Sequence, residues 1–70
     1  MQTITIAQCY DMRLISVGNG AAYEFWNAGE SIFVQGDDAT QLREEWEAIE
    51  SAFPLLHTKG ALLKLWELYQ

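Results

Sequence analysis

The stretch MRLISVGNGAAYEFW, residues 12–26, decides how this chain folds. Two runs rich in β-branched and aromatic residues flank Gly-Asn-Gly, and Asn19-Gly20 is the strongest short hairpin signal, because both residues tolerate the positive φ of a type I′ turn. With Asn19-Gly20 as a two-residue loop, Val17 pairs with Ala22, Ile15 with Glu24, Leu14 with Phe25 and Arg13 with Trp26. Alternation then places Met12, Leu14, Tyr23 and Phe25 on one face, assigned to the core. Arg13, Ile15, Val17, Glu24 and Trp26 fall on the other.

Further strands flank this hairpin. Upstream, Thr3-Ile4-Thr5-Ile6 alternates polar and apolar residues; downstream, Asn27-Ala28-Gly29 suits a short loop with a left-handed Gly29, as a turn or a bulge, before SIFVQ at 31–35. Ile32 and Val34 take one side of that strand and Phe33 the other, and the geometry of the loop sets which side faces outward. The remainder reads as helical. Asp38 is placed as an N-cap with Gln41 completing a capping-box-like pair, and Asp37 adds negative charge at the positive end of the helix dipole. Leu42, Trp46, Ile49 and Phe53 recur at helical spacing until Pro54 stops the helix. A second helix is expected over about residues 60–69, with Leu62, Leu65, Trp66 and Tyr69 on one side, Leu63 and Leu68 broadening the apolar arc, and deeper burial than the first. Strands followed by helices define an α+β fold: an antiparallel sheet of three to four strands joined by hairpins, then two helices packed on one face, in a single domain over 1–70.

Composition narrows the function. A 70-residue chain buries only about 60% of its unfolded surface, so a partner or a second copy is a natural aid to stability. One cysteine, Cys9, allows no internal disulfide, and Cys9 with the lone His57 cannot close a zinc site. No cofactor is expected. The net charge of −6 repels phosphate backbones and anionic membranes, which argues against direct nucleic-acid or membrane binding and for a protein partner with a basic surface. No apolar run reaches the roughly 18 residues of a membrane span, and MQTITIAQCY lacks the basic and apolar regions of an export signal. A cytoplasmic location is expected.

No catalytic constellation stands out. Gly36-Asp37-Asp38 matches a metal-binding tripeptide of polymerases, yet it sits between a strand and a helix where capping accounts for both acids, and no calcium-loop spacing accompanies it. Cys9 and His57 lack an orienting partner, and Ser16, Ser31 and Ser51 lie in no nucleophile-elbow pattern. The chain is expected not to be an enzyme. Two candidate binding surfaces remain. Glu44, Glu45, Glu47 and Glu50 lie off the apolar helical stripe, with only Arg43 offsetting Glu47 at i+4. They form either an ordinary solvated face or a row of carboxylates that offers a basic groove what a nucleic-acid backbone would offer. The outward sheet face holds Ile15, Val17, Trp26 and a further large apolar group. Unless a helix or the N-terminal strand folds over it, this face is an interface for a homodimer or a target, with Trp26 as its anchor and Arg13 stacked on the indole.

In size, acidity and strand-then-helix layout, the unit FVQGDDATQLREEWEAIESAFP (33–54) and the terminal LLKLWELYQ (62–70) resemble small proteins that bacteriophages and other mobile elements make to block host machinery, anti-CRISPR proteins among them. The resemblance implies a non-enzymatic inhibitor of a host protein complex, such as a CRISPR effector or other nucleic-acid-handling machinery. It transfers no functional residue. The alternative is a small structural or assembly protein that homodimerises or docks through its sheet face, with no inhibitory role.

Overall fold

The computed structural model describes residues 2–69. Met1 and Gln70, the ends of the expected single domain, lie outside them. Four strands, β1 (Thr3–Cys9), β2 (Met12–Val17), β3 (Ala22–Asn27) and β4 (Glu30–Gln35), precede two helices, α1 (Asp37–Ala52) and α2 (Thr58–Glu67). The strands form one antiparallel sheet in the order β1-β2-β3-β4, so every strand is hydrogen-bonded to its neighbour in sequence and the fold is α+β as expected.

The β2–β3 register matches the sequence reading at every pair, from Val17 opposite Ala22 to Arg13 opposite Trp26. Asn19 and Gly20 both take positive φ, 60° and 92°, as the hairpin requires. The β3–β4 turn is equally tight. Asn27 pairs with Glu30, leaving Ala28 (φ 51°) and Gly29 (φ 87°) as a two-residue loop with no bulge. That register sets Ile32 opposite Phe25 and Val34 opposite Tyr23, both packed against the core, and turns Phe33 outward opposite Glu24.

The bulge lies instead in β1, between Thr5 and Ala7. Thr5 pairs with Ile15 and Ala7 with Leu14, so Ile6 is an extra residue and the alternation resets across it. Ile4 and Ile6 therefore face the helix side before the bulge, and Ala7 and Cys9 face it afterwards, packed on the core.

Strand β4 passes into α1 through a single residue, Gly36, at φ 64° and ψ −132°. This overturns Asp38 as the N-cap: Gln35 still closes the ladder opposite Ala22, so one residue must turn the chain, and only glycine adopts that conformation cheaply. No side chain caps α1; Asp37 and Asp38 occupy its first turn, where their charge meets the dipole. The buried stripe is Ala39, Leu42 and Trp46, with Ile49 partly covered. Phe53, expected to extend it, is the C-cap instead and is 46% exposed, its ring lying 4.5 Å from the Lys64 ammonium.

Helix α2 starts at Thr58, earlier than expected, because the His57 side chain accepts a hydrogen bond from the Lys59 backbone N–H at 3.2 Å and so caps it. It buries Ala61, Leu62, Leu65 and Trp66, a larger share of its length than α1 buries. Leu63 and Leu68 do not broaden that stripe: both are exposed, because the helix lies on the sheet by one face only. Helix α1 packs over β3 and β4, and α2 over β1 and β2. Between them Phe25 and Trp66 meet edge to face, ring centroids 5.1 Å apart, in the middle of the core.

Candidate protein-binding surfaces

Neither helix packs on the outer face of the sheet, so its side chains stand where the register puts them. Trp26 and Phe33 are exposed, and Ile15 is half-buried between Thr5 and Glu24. Glu24 sits between Ile15 and Phe33 across the strands and accepts a hydrogen bond from the Trp26 indole N–H at 2.9 Å. The indole is thus oriented by a carboxylate. Two expectations change here. Arg13 pairs with Trp26 across β2 and β3, but the cation–π contacts among the described residues are Lys59 over Tyr10 and Lys64 over Phe53, and Arg13 makes none. Val17 belongs to the outer face yet is only 8% exposed, flanked by Thr3 and Ala22, so it offers a partner little surface.

The acidic candidates all lie on α1. Successive helical residues are displaced by roughly 100°, which spreads Glu44, Glu45, Glu47 and Glu50 over most of the solvent arc instead of along one row. Glu47 and Glu50 border a cleft floored by Leu14, Tyr23, Leu42 and Trp46 and closed on its far side by Ile6. Glu44 points away from the sheet with Asp37, on an open surface. Glu45 turns to the opposite flank and is half-buried, accepting a hydrogen bond from the Tyr69 hydroxyl at 2.5 Å. Burial, followed by that bond and the nearby charge of Glu45 and Asp38, raises the Tyr69 pKa well above the usual tyrosine range. Glu45 is therefore a structural carboxylate that ties α1 to the end of α2. The signal for it was present in Tyr69, read as an apolar stripe residue, whose hydroxyl needs a partner once half-covered.

Charge is strongly segregated. With six carboxylates and Arg43, α1 carries a net −5 of the chain's −6. Arg43 approaches Glu47 at 3.8 Å, the ion pair expected at that spacing and the only one among the described residues. The described residues hold no group of three His, Cys, Asp or Glu side chains placed to bind a metal, and His57 uses Nδ1 as a helix cap. The chain matches no protein-family profile, no curated protein and no solved structure. No helix is long and apolar enough to cross a membrane among the described residues.

Proposed function

We propose that this chain is a non-catalytic, phage-type inhibitor that acts in the host cytoplasm by laying α1 against the basic surface of a nucleic-acid-handling protein complex, a CRISPR effector being one such target. The observation that carries the reading is the concentration of charge on one exposed helix, where Asp37, Glu44, Glu47 and Glu50 face solvent and only Arg43 opposes them. A basic groove built for phosphates attracts this concentration of negative charge, which steers association and competes with nucleic acid. Inhibition then needs occupancy and no chemistry. Affinity capture from bacterial lysate tests it: a nucleic-acid-binding complex is recovered at low salt, released at high salt, and lost with the Glu47→Lys/Glu50→Lys variant. Recovery unchanged by salt and by charge reversal overturns it.

A second reading rests on the outer sheet face. Ile15, Trp26 and Phe33 cluster there, and apolar clusters on small domains mark interfaces. In this reading the chain is an assembly protein that homodimerises or docks through the sheet. Sedimentation of the 8.0 kDa chain then shows a concentration-dependent dimer, indifferent to salt and abolished by Trp26→Ala. A monomer at all concentrations removes the homodimer.

A further inference from the structure

Side chains on the helix side of a two-layer fold are normally buried, and Ile4 and Ile6 are not. They are 49% and 43% exposed. Helix α2 lies toward the β1–β2 turn, with Lys59 4.9 Å from the Tyr10 ring, and Ala7 and Cys9 pack against the core while the first half of β1 stays uncovered. Between Ile6 and α1 this opens a cleft of about 230 Å³, with Leu14, Tyr23, Leu42 and Trp46 as its apolar lining and Arg43, Glu47 and Glu50 at its rim.

We propose that this cleft is an anchor pocket for one large apolar side chain, Leu or Phe in size, on a basic segment of the partner protein. The proposal rests on the reading of α1 as the docking element and names what that element grips. Volume and charge decide the occupant. The cleft falls below the roughly 300–1,000 Å³ of small-molecule sites, which suits a single side chain. Arg43 shares the rim and approaches Glu47 at 3.8 Å, whereas Glu50 has no ion-pair partner among the described residues, so the rim keeps one carboxylate in excess and favours a Lys or Arg beside the anchor at Glu50. A second copy of the chain does not supply such a segment: it carries −6 overall, and its two lysines already lie over aromatic rings. Strand β1 adds to the fit, because its outer edge is unpaired and TITIAQC holds neither charge nor proline to repel an approaching segment.

The test is an NMR titration of the isotope-labelled chain with two synthetic peptides, Lys-Lys-Leu-Lys-Lys and Lys-Lys-Ser-Lys-Lys. The leucine peptide is expected to bind about tenfold more tightly, as burial of a leucine side chain implies, and to shift the Ile6 amide and the Trp46 indole N–H. Ile6→Ser, at an exposed position, is expected to bring the leucine peptide down to the level of the serine peptide, and Glu50→Gln to weaken both. Equal binding of the two peptides with shifts confined to Asp37 and Glu44 overturns the cleft while leaving α1 as a docking element. Shifts centred on Trp26 and Phe33 overturn it in favour of the sheet face. Absence of binding by either peptide overturns the cleft and counts against the acidic helix as well.

Discussion

Gly36 and Tyr69 show how single residues hold the two layers together. Gly36 has open space around the position of a Cβ, so the cost of a side chain there is conformational and not steric. Gly36→Ala is expected to lower stability by about 1–3 kcal/mol with no change in core packing, measured as a lower urea midpoint at unaltered m-value. Tyr69 makes a pH-dependent contribution. Its folded-state pKa is raised above the usual 10.0, so the unfolded chain releases the phenolic proton first and stability falls as pH climbs past that value. Below about pH 10 the contribution is fully present. Urea midpoints of the wild type and Tyr69→Phe therefore stay a constant distance apart up to about pH 10 and converge from there to pH 11; curves still parallel at pH 11 rule out a raised Tyr69 pKa in the folded chain. At neutral pH the variant is expected to lose about 1 kcal/mol, the net worth of one hydrogen bond.

At the scale of elements, α1 carries its concentrated negative charge at a cost to its own stability. Glu44 and Glu47 stand three residues apart, as do Glu47 and Glu50, and like charges at that spacing destabilise a helix. Glu44→Lys relieves one such pair and is expected to raise stability by about 0.2–0.5 kcal/mol while weakening capture of a basic partner. A thermal scan beside a binding assay checks both signs; a variant that loses stability refutes the like-charge account. Strand β1 shows a comparable compromise. The bulge at Ile6 re-aims two isoleucines at the helix side, and α2 then covers only the second half of the strand.

For the whole molecule, Trp66 and Trp26 stand in opposite environments. Trp66 is 6% exposed and meets Phe25 at the centre of the core, whereas Trp26 is 37% exposed on the outer face. Trp66→Ala is expected to cost about 3–5 kcal/mol, enough to leave a 70-residue domain largely unfolded at room temperature. Trp26→Ala is expected to cost about 1 kcal/mol or less, because most of its environment is solvent and neighbouring strands. Far-ultraviolet circular dichroism with urea titration separates the two. A large loss at Trp26 would make the outer face part of the stability of the monomer and not a surface kept for a partner.

The central hairpin was legible in the residues alone, because a turn that demands positive φ and a period-two pattern with one buried face leave a single register. The same holds for the helical half, where Leu42, Trp46, Leu62, Leu65 and Trp66 repeat at the spacing of one buried stripe. Features set by contacts distant in the chain were decided only by the tertiary structure. The β1 bulge depends on how TITIAQC meets β2, and the role of Gly36 on where the β3–β4 ladder ends. Tyr69 recruits Glu45 out of the acidic set across 24 positions of sequence. Likewise, the run of glutamates reads as one face until α2 and the sheet are in place, and only then does it divide into a tie, an open surface and the rim of a cleft. Local pattern determines which side of an element is apolar; which part of that side stays uncovered depends on where the next element comes to rest.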